Sequence, residues 1–291
     1  MSTTTSRGSL LRGVILLVPM VLAWGLAYPL IKLVSADASP LVISLFRVGV
    51  GAIFFLAAGR GVSAGTKQFV NGVIYFVVFM ILLNLGTSIS SSPGLAAVMM
   101  YTQPIFVIVF ERALGSKLPP KTVLGVAIGF LGVVVSAASG VFDLGTLLTL
   151  IGGAVWAVGT VYYARYLQGE NILKLNAFMS LTALPIVGAL TPLNYHFTYT
   201  PKTLLILLTL SILAQALAYY LWFNAVKQLG SIKASAASLT TPAVAYALSY
   251  LLLHNTPTPI ELAGSTITIL GVYLALTAKN TQTTTSPQTH Q

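Results

Sequence analysis

The sequence contains no cysteine and carries little charge. Only 7% of its 291 residues are Asp, Glu, Lys or Arg, and just 5 of them are acidic. The absence of cysteine excludes a disulfide framework, a catalytic thiol and a cysteine-ligated metal site. Ordinary soluble domains carry about 25% charged residues, so this chain has too little charge to cover the surface of a water-soluble monomer.

Long apolar runs take the place of charge. Apolar residues make up 56% of the chain, and its mean hydropathy is +0.89. A membrane-spanning helix needs about 20 predominantly apolar residues. The stretches that meet this requirement are Gly13–Leu33, Pro40–Ala58, Phe69–Ser88, Pro93–Ala113, Lys121–Ser139, Gly145–Tyr166, Ile172–Pro192, Thr203–Val226, Lys233–Leu253 and Pro259–Ala278. The predicted fold is therefore an all-α polytopic membrane protein with ten transmembrane helices.

Basic residues predict the orientation of these spans. If the N-terminus is inside, the outer segments hold only Lys32 and Lys202, and Arg47 lies within the second span. The inner segments then hold Arg7, Arg12, Arg60, Lys67, Arg112, Lys117, Lys121, Arg165, Lys174, Lys227, Lys233 and Lys279. The positive-inside rule therefore predicts that both termini are cytoplasmic. The protein is expected to lie in the plasma or inner membrane of the cell. The polar tails, 1–9 and 280–291, are expected to be disordered.

The sequence also repeats itself. Thr102-Gln103-Pro104 recurs as Thr240-Thr241-Pro242, and Leu131-Gly132-Val133 recurs as Leu270-Gly271-Val272. Both spacings are close to half of the chain, which indicates a duplicated unit.

The two units run from about 10–140 and 141–279, and each holds five spans. Because five is odd, the second unit enters the membrane from the opposite side, so the halves are inverted repeats. This architecture is typical of secondary transporters, whose substrate sites lie near the midplane between the repeats.

Several of these motifs resemble the EamA unit, which occurs twice in ten-helix members of the drug/metabolite transporter superfamily. The matching positions are Trp24-Gly25, the lone Arg47, Pro104, Pro242 and the glycines Gly125 and Gly264 before each Leu-Gly-Val. The resemblance covers nearly the whole chain. It implies export or exchange of small metabolites, often amino acids, through a central cavity.

One departure from the family pattern concerns the ends of the fourth and ninth spans. Family members commonly carry Gly-Glu there, whereas this chain has Gly115-Ser116 and His254-Asn255. Any part of that acid in anchoring the loop is therefore not carried over.

Polar and aromatic residues near the middle of the spans are the candidates for substrate contact. Helical spacing places Gln215, Tyr219 and Trp222 on one face of the eighth span. The full set of predicted substrate-binding residues is Trp24, Tyr28, Asn84, Tyr101, Trp156, Thr160, Gln215, Tyr219 and Trp222. An amide within the membrane is costly unless it meets a partner or a cavity, so Gln215 is expected to face a central site together with Tyr219 and Trp24.

Structural alternatives stay open for some of these residues. Gln215 could bond a neighbouring helix, and Trp222 and Tyr163 could be anchors at the membrane interface. Arg47 could snorkel outward or hold helices together rather than bind an anion.

Three prolines are candidates for bending or gating. Pro104 and Pro242 remove backbone donors at equivalent positions and are expected to bend their helices. Pro93 ends a short polar connection, 90–94, that suits a moving gate on the outer side.

Other classes of function have less support in the sequence. Asp37 and Asp143 fall in outer loops, so no intramembrane aspartyl protease is indicated, and no metal or cofactor is predicted. The basic residues are scattered, which argues against nucleic acid as a partner. A lipid-translocating or channel-like protein is the alternative to a metabolite transporter, and the protein is expected to be a monomer or homodimer.

The energy coupling is predicted from the scarcity of buried acids. Glu111, at the cytoplasmic end of the fourth span, is expected to pair with the adjacent Arg112. Since buried carboxylates are the usual proton relays, the sequence favours a uniporter or exchanger, with sodium bound by backbone oxygens left open.

Overall fold

The computed structural model describes residues 7–138, 142–254, 256 and 258–278, with side chains from residue 16 onward except at 253. This part of the chain is helical, and its only β-type pairing is a bridge between Ala38 and Phe197. The helices are α1 Arg7–Val34, α2 Pro40–Gly59, α3 Thr66–Ile89, α4 in two segments Pro93–Met100 and Gln103–Ala113, α5 Pro120–Ala137, α6 Leu144–Tyr166, α7 Ile172–Leu190, α8 Pro201–Leu229, α9 in two segments Ser231–Ser238 and Thr241–Leu253, and α10 Pro259–Leu276.

The helices form a polytopic membrane protein. Within the described residues, nine helices are long and apolar enough to cross a membrane. Large apolar side chains such as Ile53, Leu205 and Leu270 are exposed on the outside of the bundle. Exposed apolar surface of this extent suits contact with lipid. The predicted ninth span, Lys233–Leu253, is not among these nine, because α9 is divided into two shorter segments.

The interruptions in α4 and α9 occupy corresponding positions. Turns at 101–102 and 239–240 separate the two segments of each helix. Pro104 and Pro242 each stand at the second position of the segment that follows. Proline has no N–H to bond the preceding turn but fits the first turn of a helix. These prolines therefore start a new segment instead of bending a continuous helix.

The first five and the last five helices, called the two halves below, pack with approximate two-fold symmetry. Helix α1 packs on α8 and α9, and its counterpart α6 packs on α3 and α4. The counterpart pairs α2–α7 and α5–α10 pack directly on each other. Equivalent helices therefore exchange equivalent contacts across the interface between the halves.

Glycines let α5 and α10 approach most closely. A Cβ atom built on Gly125 would overlap the backbone at Gly271 and Ala275, and one built on Gly132 would overlap the backbone at Gly264. The residue numbers rise in one helix as they fall in the other, so the two helices are antiparallel. Because they are equivalent helices of the two units, the units are inverted relative to each other.

The first helix starts earlier than the sequence predicts. Helix α1 begins at Arg7, so the last residues of the expected disordered tail, 7–9, are helical. The rest of that tail, and the predicted tail 280–291, lie outside the described residues.

Candidate functional site

A small cavity lies between the two halves. Its volume is about 20 Å³, which holds about one water molecule. Its lining residues are Trp24, Ala27, Tyr28, Arg47, Phe79, Leu83, Met100, Tyr101, Trp156 and Tyr219. Ligand pockets for small molecules usually have about 300–1,000 Å³, so a ligand of that size would fit here only if the lining side chains moved apart.

The three tryptophans of the chain meet beside this cavity. The ring of Trp24 lies 5.2 Å from that of Trp156 and 5.4 Å from that of Trp222, and the last two rings are 5.1 Å apart. Tyr219 lies edge-on to Trp24 at 5.7 Å. Edge-to-face and tilted contacts at these distances are favourable for aromatic rings, so the cluster has a defined geometry contributed by both halves.

A wide turn in α8 supplies an acceptor to this cluster. Residues 210–217 form a π-helix, and the N–H of Ala218 bonds the carbonyls of Leu213 and Gln215. The carbonyl of Ala214 is thereby left without its usual bond from Ala218. It accepts instead from Trp24 Nε1 at 3.1 Å. Such turns occur often at functional sites, and this one fixes the orientation of the Trp24 ring.

Arg47 is fully buried in α2 beside the cavity, with 0% of its surface exposed. Its Nη1 donates to Asn84 Oδ1 at 3.0 Å, and its Nη2 donates to the Ala214 carbonyl at 3.4 Å. Asn84 in turn donates from Nδ2 to Ser44 Oγ at 2.8 Å. Asn84 therefore positions the Arg47 side chain beside the cavity. Because Arg47 is fully buried, it does not snorkel out.

A chain of polar groups continues from the cluster toward α4 and α9. Trp222 Nε1 donates to Tyr75 Oη at 3.0 Å, and this hydroxyl lies 2.8 Å from Thr160 Oγ1. Gln103 Nε2 donates to Thr160 Oγ1 at 3.2 Å and to Ser235 Oγ at 3.0 Å. The chain joins the two interrupted helices at the start of the second segment of α4.

Several buried polar atoms beside the cavity lack partners. Within the part of the chain that the structure describes, no group bonds Arg47 Nε, Trp156 Nε1, Tyr219 Oη or either polar atom of the Gln215 amide. A buried polar group without a hydrogen bond costs about 1–3 kcal/mol. A molecule that satisfied the first three atoms would recover part of this cost, which makes the cavity a candidate binding site.

The predicted site residues divide into two groups. The first group lines the cavity: Trp24, Tyr28, Tyr101, Trp156 and Tyr219. The second group lies outside the lining and holds it in place through the contacts described above: Asn84, Thr160 and Trp222. The sequence argument missed Ala27, Phe79, Leu83 and Met100, because apolar residues next to predicted ones give no signal of their own. Arg47 could be identified from the sequence as the one charged residue of the second span.

The structure places Gln215 away from the cavity, contrary to the expectation from the sequence. It packs against α2, where a Cβ built on Gly51 would lie 3.0 Å from Gln215 Cγ, and it does not line the cavity with Tyr219. The interface-anchor interpretation also fails for Trp222 and Tyr163, since both side chains are fully buried. Tyr163 donates to the carbonyl of Phe223 at 3.3 Å.

One end of the bundle, called the Glu111 end, is closed by an ionic cluster. Glu111 accepts from Arg165 Nη2 at 2.9 Å, Ser116 Oγ at 2.6 Å and Ser231 Oγ at 2.7 Å. Its ionic partner is thus Arg165 of α6 and not the adjacent Arg112. The bonds from α6 and α9 to α4 join the two halves across this end.

At the opposite end, called the Lys32 end, hydrogen bonds hold the 90–94 connection in place. Lys32 Nζ donates to the carbonyls of Ser88 at 3.1 Å and Ser90 at 2.6 Å, which ties α1 to the end of α3 and to the 90–94 connection. Asp143 accepts from the N–H of Ser91 at 2.7 Å. Desolvation raises the pKa of Asp143, but the hydrogen bonds from Ser91 and Thr146 outweigh it and lower this pKa to about 2.

A larger polar cavity opens at the Lys32 end. It measures about 350 Å³ and is lined by Ser92, Pro93, Gly94, Tyr246, Ser249, His254, Thr256 and Glu261. Pro93 begins α4 at its edge, where Ser92 Oγ caps the helix by accepting from the N–H of Leu95. Pro93 thus lies between the solvent-facing loops and the first segment of α4.

Comparison with known proteins agrees with this architecture. The model of the EamA-like transporter family matches residues 11–138 and again residues 143–277. A crystal structure with 19% sequence identity aligns with a TM-score of 0.73 over 91% of this chain and 96% of the other. This likeness concerns the fold alone.

Similar curated proteins are transporters. An uncharacterized transporter of Acidianus ambivalens is 33% identical over 184 residues, covering 58% of this chain and 72% of the relative. A probable amino-acid metabolite efflux pump of Escherichia coli (strain K12) is 26% identical over 284 residues, covering 88% of this chain and 91% of the pump. With its family model matched in both halves, the chain belongs to the EamA-like transporter family.

Proposed function

We propose that the protein is a secondary transporter that moves a small metabolite, an amino acid or a related amphiphile, across the cell membrane by export or exchange. The observation that carries this proposal is the small cavity between inverted halves, with aromatic walls and unpartnered polar atoms. Two nearly equivalent halves can exchange conformations, which gives inward-open and outward-open states of similar energy.

The contacts at the two ends support alternating access. Glu111 ties the halves together at one end, and Lys32 and Asp143 hold the 90–94 connection at the other. The bonds of Glu111 to Arg165 and Ser231, and those of Asp143 to Ser91, cross between the halves. These crossing bonds must break for their own end to open, while those at the other end keep it closed. In the orientation given by the basic residues, the Glu111 end faces the cytoplasm.

Reconstitution into liposomes with a panel of labelled amino acids, carboxylic acids and other amphiphilic metabolites tests the proposal. Vesicles loaded with an unlabelled substrate should accumulate its labelled form by exchange, whereas vesicles without protein should not. Absence of exchange for the whole panel, in protein that remains folded, would contradict the proposal.

A pair of tyrosine variants tests the location of the site. The Tyr219 hydroxyl is buried and unpartnered beside the cavity, whereas Tyr273 is 69% exposed on the outer surface of α10. Losing a hydrogen bond to substrate costs about 1–3 kcal/mol, so Tyr219→Phe should raise the half-saturation concentration about 5- to 150-fold. Its melting temperature should not fall, because no protein bond is lost. Tyr273→Phe should behave like the parent.

The alternative function, translocation of lipid or another amphiphile, draws on a different observation. Apart from Arg47 and the tyrosine hydroxyls, the cavity lining is apolar or aromatic. A fluorescent-lipid scrambling assay on the same vesicles distinguishes the two, since a metabolite transporter should exchange amino acids without scrambling lipid.

A further inference from the structure

Arg47 stands out because it is the one charged residue among those that line the central cavity. It is the eighth residue of α2, well inside the membrane-spanning segment, and none of its surface is exposed. A buried charge in a membrane protein is expensive and usually has a partner or a function. The identity of its counter-charge therefore needs an explanation.

No acidic side chain of this protein is available to form an ion pair with Arg47. The whole sequence has only 5 acidic side chains, and each one is bonded elsewhere. Glu111 bonds Arg165, Asp143 bonds Ser91 and Thr146, Glu170 bonds Ser63 and Gln68, Asp37 bonds Thr203, and Glu261 bonds the N–H of Thr258. The guanidinium therefore lacks an ionic partner from any acidic side chain.

Neutral groups compensate Arg47 only in part. An arginine side chain has five N–H donors, and the described residues offer it two acceptors, Asn84 Oδ1 and the Ala214 carbonyl. Nε has no partner. An arginine that served only to hold α2, α3 and α8 together would be expected to have its donors satisfied, because leaving buried donors unmet costs stability.

The other polar atoms beside the cavity are suited to the same kind of ligand group. Trp156 Nε1 is a donor only, and the unpartnered Tyr219 hydroxyl can donate. Arg47, Trp156 and Tyr219 all line the same cavity between the halves, so it offers donors from three residues. An acceptor-rich group with a single negative charge suits one guanidinium, and a carboxylate matches the planar fork of arginine.

We infer that this cavity, taken as the substrate site of the transporter proposed above, binds its substrate through a carboxylate held by Arg47. The aromatic rings of Trp24, Trp156 and Tyr219 then cover an apolar remainder. The lining offers no carboxylate to an ammonium group, so the ammonium of an amino acid is not required for binding. The substrate class is a small carboxylic acid with an apolar body, whether or not it also carries an amine.

Matched compounds test this inference on the wild-type protein. Two series are used: L-phenylalanine, 3-phenylpropionate, 3-phenylpropanamide and phenethylamine, and L-leucine, 4-methylpentanoate, leucinamide and isoamylamine. Binding is followed by intrinsic fluorescence, since all three tryptophans flank the cavity. In at least one series, the compounds with a carboxylate should bind at least about tenfold more tightly than the amide and the amine, the expected effect of a charge-assisted bond.

Three arginine variants connect the preference to one side chain. Arg47→Gln should bring the affinities for acid and amide within about twofold of each other, whereas Arg47→Lys keeps the charge and should retain a preference for acids. Arg112→Gln removes an exposed arginine outside the site and should bind like the parent. Size-exclusion chromatography checks that each variant is folded, and the wild-type comparison stands even if Arg47→Gln does not fold.

Two further outcomes separate this inference from the proposed function. If amides or amines bind as tightly as acids in the wild type, or if folded Arg47→Gln keeps the preference for acids, the inference is overturned while transport stands. If no labelled amino acid or acid accumulates in vesicles and none of the compounds changes the fluorescence, the proposed function fails and this inference falls with it.

Discussion

The ionic cluster at the Glu111 end predicts how the resting conformation is held. Glu111 in α4 accepts from Arg165 in α6 and from Ser231 in α9, so these two bonds cross between the halves. Glu111→Gln removes the charge while keeping the shape of the side chain. The variant should therefore weaken closure of this end without disturbing the packing around it.

The size of the effect follows from the burial of the pair. Hydrogen bonds to charged groups contribute about 1.5–3 kcal/mol when buried. The Arg165 side chain is 31% exposed, and exposed ion pairs contribute about 0–1 kcal/mol. An intermediate loss of about 1–2 kcal/mol corresponds to about a 5- to 30-fold larger population open at this end.

The absence of native cysteine makes this population measurable. Ser235 is fully buried one helical turn beyond Ser231 and bonds Gln103. In purified Ser235→Cys protein, the rate of labelling by a water-soluble maleimide reports how often the Glu111 end opens. Adding Glu111→Gln should raise this rate about 5- to 30-fold. Arg112→Gln is the matched control, because Arg112 is exposed and adjacent to the cluster, and it should leave the rate unchanged.

Two outcomes would refute the reasoning. An unchanged labelling rate in folded Glu111→Gln protein would mean that the cluster does not hold this end closed. An equal increase in Arg112→Gln would mean that local charge, and not the bonds between the halves, controls access.

Three shorter predictions concern stability and topology. Asp143 has a folded-state pKa of about 2, below the value of about 3.9 for an unfolded aspartate. Its ionised form therefore stabilises the fold fully above about pH 4, and this stabilisation is lost as the pH falls through 2. The difference in melting temperature between the parent and Asp143→Asn should shrink over that range, and a constant difference would refute the prediction. Gly132→Ala should lower the free energy of unfolding by about 1–3 kcal/mol because the new methyl group meets backbone, whereas Gly188→Ala, where a Cβ lies 3.8 Å from Leu45, should be tolerated; equal melting temperatures for the two variants would contradict this. Thr5→Cys and Thr285→Cys should each be labelled only from the cytoplasmic side, and external labelling of either in intact cells would overturn the orientation.

The helices that form the spans could be predicted from the sequence because they depend on local properties. Apolar stretches of helical length give the spans, and the recurring motifs at 102–104 and 240–242 give the inverted halves. The interruptions of α4 and α9 at these motifs could be predicted only in part. The missing N–H of Pro104 predicts a disturbance, but whether the helix bends or restarts depends on the turn before it.

The site was harder to predict because helical periodicity failed at one place. Gln215 and Tyr219 share a face in an α-helix, but residues 210–217 wind as a π-helix. Its longer turn changes the angle between positions four residues apart, so Gln215 faces Gly51 while Tyr219 faces the cavity. The segment contains no proline or glycine to signal this. Likewise, the pairing of Glu111 with Arg165 joins residues 54 positions apart, which no local pattern encodes.

The glycine contact between α5 and α10 has a consequence for how the two copies can diverge. Gly125 and Gly132 correspond to Gly264 and Gly271 in the repeat, and Gly125 meets Gly271 as Gly132 meets Gly264. Each copy is therefore the packing surface of the other at the same positions. A larger residue accepted in one copy must be accommodated by space created in the other, so this stretch of the duplicated sequence is constrained to evolve as a pair while the loops drift separately.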